Sequence, residues 1–352
     1  MKSTGYVAYV GTYTHENSIG IHIYDLDVEN GKIQERKVVP INNPSDLVIS
    51  SSGKYLYSIA DEGVQSFRIL EDGDLEPINK KWIGGMRGCY VDIDKNDTFL
   101  FVGGYHDGRI TMMNLNSDGS IGEIADGIFH KGIGKSIAER NSRPHVTCVK
   151  VTPDQKYVCA VDCGLDQVKV YRIDYEMKKL RLSDIVRGEI DSSTRMLRFS
   201  RDGKFAYILN ALTNSIEIYS YDPGDKSPNF EQIQRVSTES KHDDDMCTAV
   251  NLEISEDGEY LYASNAGVNS VTIFKLDQVT GKLSKVTNVK ISGDYPKTLA
   301  IYPNGKYFMT LNHESNEICT FELFHDGEFA LMHGKPVYVD KPNCVEIFKL
   351  RK

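Results

Sequence analysis

Apolar and polar residues change places along this chain in short alternating runs, clearest over 144–173, PHVTCVKVTPDQKYVCAVDCGLDQVKVYRI. Val146 to Val151 alternates and is rich in β-branched residues, which reads as a strand. Thr152-Pro153-Asp154-Gln155 is turn chemistry. Tyr157 to Val161 is an apolar strand, Gly164-Leu165-Asp166 breaks it, and Val168 to Ile173 alternates again.

The unit recurs. Copies begin at Ser51 (SSGKYLYSIADEGVQSFRI), Lys95, Ser200, Ser255 and Tyr302 (YPNGKYFMTLNHESNEICTFEL). Their turn anchors, Gly53, Asp97, Gln155, Gly203, Gly258 and Gly305, are spaced by 44, 58, 48, 55 and 47 residues. A period in the forties with several short strands per unit predicts a β-propeller. Turn-led segments such as EDGDLEPI (71–78), VTGKLSKV (279–286) and HDGEFALM (325–332) announce a fourth strand in each unit.

The two ends of the chain complete the count. YVAYVGTYTHENSIGIHIYDLD has the second and third strands of a unit without its first. PNCVEIFKL (342–350) matches the first strands PHVTCVKV, TRMLRFS and PKTLAIY. Joined, they make seven units: an all-β, seven-bladed β-propeller with four antiparallel strands per blade. One blade is shared by the N- and C-terminal strands, so the ring has no open edge. No linker is visible, so residues 1–352 read as a single domain. First-strand starts and second-strand ends then share one mouth. Extra residues at 127–143 and 238–247 each precede a first strand and fall over that mouth, where loops elaborated on a repeat ring usually bind.

Charge narrows the partners. A formal net charge of −9 argues against nucleic acid and anionic membranes. No run approaches the roughly 18 apolar residues of a membrane span. The start, MKSTGYVAYVGTYT, lacks a signal-peptide pattern, and a cytoplasmic protein is expected. The seven cysteines are scattered and without CxxC spacing, which fits buried thiols in a reducing compartment.

Several segments resemble the lactonase family of seven-bladed propellers, the 6-phosphogluconolactonase type, to which fungal carboxy-cis,cis-muconate cyclases also belong. The carriers are Val10-Gly11-Thr12-Tyr13-Thr14, Arg143-Pro144-His145, Asp162-Cys163-Gly164-Leu165-Asp166-Gln167-Val168, Arg195-Met196-Leu197-Arg198-Phe199-Ser200 and Ala263-Ser264-Asn265. The resemblance implies a hydrolase opening a sugar-acid lactone in the central mouth. The chain departs from the family at three places: Met196 follows Arg195 where a histidine is frequent, Ala211 replaces a glutamate, and Ala266 replaces an arginine.

Opening a lactone requires a group to hold the developing oxyanion, a base for water, and a grip on the rest of the substrate. His145 is the expected base and Arg195 the expected oxyanion partner. Asp162 either orients His145, activates water or caps the Gly164 loop. Arg87 and Arg143 stand just before first strands, and Lys297 follows Pro296 in what reads as the equivalent place of another blade. Together they predict a cationic mouth and an anionic substrate. Tyr13 and Tyr105 end second strands and are placed to stack on a sugar ring; Asn265, Asn312 and His313 end others. Arg198 reads as structural. His242-Asp243-Asp244-Asp245 reads as a solvated loop, because consecutive carboxylates diverge, so no metal and no cofactor are expected.

Three functions follow. The first is a metal-independent lactonase acting on a small anionic or polyhydroxylated lactone. The second is a muconate-type lactonising cycloisomerase. The third is a non-catalytic propeller that binds a sugar acid or a protein. The oligomeric state is open.

Overall fold

The structure, a computed structural model, describes residues 5–134, 143–239, 247–324 and 327–351. Parts of both insertions, the His242–Asp245 run, and His325-Asp326 of the last turn-led segment lie outside the described residues.

Seven antiparallel sheets make a seven-bladed β-propeller with four strands per blade. Blade 1 joins Pro342–Lys349 to Tyr6–Thr12, Gly20–Asp27 and Lys32–Pro40. Blade 2 is Leu47–Ile49, Tyr55–Ala60, Gly63–Ile69 and Leu75–Lys81, and blade 3 is Tyr90–Ile93, Phe99–Gly104, Arg109–Leu115 and Ile121–Phe129. Blade 4 is Val146–Val151, Tyr157–Asp162, Gln167–Asp174 and Lys179–Arg187. Blade 5 is Thr194–Phe199, Phe205–Asn210, Ser215–Asp222 and Asn229–Ser237. Blade 6 is Thr248–Ile254, Tyr260–Ala266, Ser270–Leu276 and Leu283–Lys290. Blade 7 is Pro296–Ile301, Tyr307–Asn312, Glu317–Phe324 and Phe329–Met332, with Val337–Tyr338 also paired to its third strand.

Contacts group the chain into two compact units. Unit 1 is Met1–Ser45, Leu70–Asp74 and Val236–Lys352, with blades 1, 6 and 7; unit 2 is Asp46–Ile69 and Leu75–Arg235, with blades 2 to 5.

The repeat anchors share one backbone state. Gly53, Asp97, Gln155, Gly203, Gly258 and Gly305 all have φ between 53° and 76°. In that turn a polar side chain replaces a missing strand partner. Thr152 Oγ1 accepts from the Tyr157 N–H at 3.0 Å, Ser200 Oγ from Phe205 at 3.0 Å, and Ser255 Oγ from Tyr260 at 2.9 Å. Small polar residues recur at that place because a side-chain acceptor can reach the backbone locally; blade 7 closes the same turn with Tyr302.

Burial explains the sequence pattern strand by strand. Second strands are buried on both faces, as in Phe99–Gly104, Tyr157–Asp162 and Phe205–Asn210, so they read as continuous apolar runs. Fourth strands such as Lys32–Pro40 are largely exposed and carry charge. In unit 2, Phe99 and Phe101 of blade 3 pack with Val146, Val149 and Tyr171 of blade 4. In unit 1, Tyr302, Met309 and Leu311 pack with Ala8, Val10 and Tyr24. Each such side chain contributes roughly 1.5–3 kcal/mol by leaving water.

The C-terminal strand pairs with Tyr6–Thr12 from Tyr6↔Lys349 to Thr12↔Pro342. Gly11 sits where a Cβ would fall 2.1 Å from the Pro44 carbonyl oxygen, so only glycine fits there.

Candidate active site

A bulge recurs near the start of the first strand. In blade 4, Val146 pairs with Asp162 and Cys148 with Val161, which leaves Thr147 unpaired. The same slip leaves Arg195 in blade 5, Val250 in blade 6, Lys297 in blade 7 and Asn343 in blade 1. Bulges twist the strand and re-aim one side chain. Arg195 and Lys297 therefore occupy corresponding places in their blades.

The residue two places before the bulge also recurs. Its carbonyl accepts the N–H of the residue that follows the second strand. The pairs are Cys163 N to His145 O at 3.0 Å, Ala211 N to Ser193 O at 3.0 Å, His313 N to Tyr295 O at 2.8 Å, and Tyr13 N to Lys341 O at 3.0 Å. Tyr295, not Lys297, is thus the counterpart of His145. The sequence reading put Lys297 in the place just before the strand; the ladder puts it inside the strand, at the bulge.

In unit 2, His145 is almost fully buried and fixed from both sides. Its N–H donates to Asp162 Oδ1 at 2.9 Å. Its ring Nδ1 lies 2.6 Å from the Tyr105 carbonyl oxygen, and the ring stacks on Tyr105 with centroids 4.3 Å apart. A carbonyl can only accept, so Nδ1 carries a proton, and whenever the ring is neutral the lone pair is on Nε2. Positive charge gathers around it. His106 is held below its ordinary pKa first by partial burial, then by the charges of Arg87 and Arg143. Arg143 is exposed, and Arg87 donates to Asp61 at 2.9 Å. Arg195 is half-buried, and its charge opposes the burial that pushes the Cys163 thiol up to about 12. Its carbonyl is bonded by Thr147 Oγ1 at 2.7 Å.

Asp162 does not touch the imidazole of His145. It is fully buried, and Oδ1 accepts from the N–H groups of His145, Gly164 and Leu165 at 2.9, 3.1 and 3.2 Å. Oδ2 lies 2.6 Å from Nδ1 of His130, whose side chain is fully buried too. Burial holds the His130 pKa below its ordinary value, against the pull of Asp162. The turn beneath is tight: a Cβ on Gly164 would stand 1.8 Å from the Arg143 carbonyl oxygen. Of the three roles expected for Asp162, the cap is the one whose bonds the structure contains. His145 is oriented by a backbone carbonyl instead.

Asn265 belongs to the same structural column, at the end of a second strand. It is fully buried, and Nδ2 donates to Thr272 Oγ1 at 3.1 Å and Ser270 Oγ at 3.3 Å. Asn312 is likewise buried and donates to the Ser292 carbonyl at 2.9 Å. Both side chains are taken up inside their own blades. Arg198, expected to be structural, donates to the Tyr90 hydroxyl at 2.6 Å.

In unit 1, rings and charges collect at the corresponding blade end. Tyr13 meets His313 edge-on at 5.5 Å and stacks on His15 at 5.7 Å. Tyr295 meets His313 at 6.3 Å, and the Lys297 ammonium sits 5.8 Å from the Tyr295 ring centre. His313 Nδ1 is 3.1 Å from the Pro342 carbonyl, the arrangement seen at His145. Burial first, then Lys297 and Lys341, hold the His313 pKa below its ordinary value, while its bond to the Pro342 carbonyl opposes them. Lys341 Nζ bonds Glu314 at 3.1 Å.

Sequence reasoning missed four of these residues. His106 and His130 lie in connections, where no periodicity marks them. Tyr295 and Lys341 each precede a proline that opens a first strand, and that X-Pro signal was present in the sequence.

A seven-bladed propeller with histidines, tyrosines and cations at its loop ends defines the class of protein. The chain belongs to the family "Lactonase, 7-bladed beta-propeller", whose model matches residues 7–347. It is 28% identical to the 6-phosphogluconolactonase of Bacillus subtilis over 350 residues, 97% of this chain and 98% of that one. Two solved structures are close. One, from Bacteroides fragilis, is 31% identical with a TM-score of 0.89 over 99% of both chains. The other, the periplasmic gluconolactonase of Pseudomonas aeruginosa, is 25% identical with a TM-score of 0.92 over 98% of this chain and 99% of that one.

Proposed function

We propose that the protein is a lactonase that hydrolyses a small anionic or polyhydroxylated sugar-acid lactone at the blade ends of unit 2. The observation that carries this is the fixed tautomer of His145, with Nδ1–H on the Tyr105 carbonyl and the lone pair on Nε2. Nε2 takes a proton as a water oxygen attacks the lactone carbonyl carbon. Arg195 offsets the charge that develops on the carbonyl oxygen. The ring C–O bond then breaks, and the leaving alkoxide recovers the proton from Nε2. Arg87 and Arg143 attract an anionic substrate. Lactonase relatives over nearly the full length support the reaction class.

Purified protein should accelerate loss of 6-phosphogluconolactone or of a lactone in an aldonolactone panel, followed by acid release. Spontaneous rates across the whole panel would sink the reading.

One observation favours a second function. Ala211 and Ala266 stand, buried, in the column that carries Tyr13, Tyr105 and His313 in other blades. Two blades thus offer no chemistry there, as suits a propeller that binds a sugar acid without turnover. Binding of an aldonate with no hydrolysis of its lactone would select it.

A further inference from the structure

Four residues that immediately precede a proline or a first strand have a positive φ: Asn43 (49°), Ser193 (52°), Tyr295 (59°) and Lys341 (46°). Asn43, Tyr295 and Lys341 are each followed by proline, which further restricts the residue before it. Asparagine tolerates this left-handed conformation; a bulky side chain there is an outlier with a backbone cost. The Asn43 side chain accepts from the Thr14 N–H, 29 residues away in sequence, at 2.8 Å.

Tyr295 and Lys341 keep the same backbone with large side chains, and both flank His313. The Tyr295 carbonyl holds the His313 N–H, and the Lys341 carbonyl holds the Tyr13 N–H, so neither bond needs the side chain. Tyr295, Tyr13 and His313 are each half-buried. Lys297 and Lys341 add cationic charge beside these rings, with Glu314 as the neighbouring carboxylate.

We propose that Tyr295 and Lys341 form, with Tyr13, His313 and Lys297, a binding subsite in unit 1 for an anionic sugar acid. The aromatic faces take the C–H surface of the sugar, and the lysines take its carboxylate or phosphate. The left-handed backbone is the stability given up for those two side chains. The proposal takes only its ligand class from the lactonase reading.

The test uses the full chain and two variants, Tyr295→Asn and Lys341→Asn. The probes are gluconate and 6-phosphogluconate, titrated by calorimetry, with thermal unfolding measured on the same samples. Both variants should melt higher than the wild type, by about 1–3 °C, and bind 6-phosphogluconate at least about fivefold more weakly. A residue that merely supports the fold would melt lower when replaced, so a fall in melting temperature overturns the proposal whatever the affinity does. So does unchanged affinity in both variants, or a wild type that binds neither probe. If the wild type hydrolyses no lactone yet the variants lose probe binding, the subsite stands and the lactonase reading falls.

Discussion

The imidazole Nδ1 of His145 is bonded, at 2.6 Å, to the backbone carbonyl of Tyr105, the residue on whose ring it also stacks. One neighbour thus sets both the tautomer and the tilt of the ring. A backbone acceptor cannot be removed by mutation of a side chain, so the base is held by the fold itself.

Replacing His145 by alanine is expected to lower kcat for lactone hydrolysis by about 10²-fold or more with a smaller change in KM. Arg195→Ala should lower kcat by about 10²-fold, and Arg195→Lys should restore part of it. Steady-state kinetics on any lactone the wild type accepts would check this. An Arg195→Ala enzyme of unchanged kcat refutes the oxyanion role.

Asn265→Ala should leave KM as it is and destabilise the protein by about 1–3 kcal/mol, because buried hydroxyls lose their amide partner. Urea unfolding and substrate titration of one sample separate the two effects. A raised KM at unchanged stability would return Asn265 to the substrate.

His130 and Asp162 make a buried pair with a predictable acid response. The unfolded chain takes up a proton on His130 near its ordinary value of 6.5, while the folded chain resists it. Stability from the neutral ring is therefore complete above about pH 7 and declines as pH falls below about 6.5. His130→Asn keeps a donor for Asp162 and does not titrate, so its stability should depend less on pH between about 5 and 7.5. His130→Ala should cost about 2–3 kcal/mol across that range. Denaturation midpoints at both pH values decide; identical slopes for wild type and His130→Asn would refute the assignment.

The propeller was legible because its repeat is written in local chemistry. Each turn anchor, from Gly53 to Gly305, needs the same left-handed backbone, and each buried second strand needs an apolar run. The closing blade was legible as well, since PNCVEIFKL and YVAYVGT each lack the partner that the other supplies. The places of His145, Arg195, Tyr13 and His313 at blade ends were read from the repeat together with the family resemblance.

The roles were less legible. Asp162 and Asn265 end their strands in sequence as plainly as Tyr105 does, yet a difference of one residue turns them into the blade. Lys297 shifts for a related reason: which residue sits at the bulge is set by the strand ladder, which spacing does not show. By itself, then, the sequence determined the seven repeats, the closure and the residue types gathered at the blade ends, because those follow from periodicity and turn chemistry. Only the tertiary structure decided which side chains face outward, that Asp162 serves His130 and a turn, and that a carbonyl from the preceding blade holds His145. Those outcomes depend on contacts between residues tens of positions apart, where bulge and register, not composition, set the geometry.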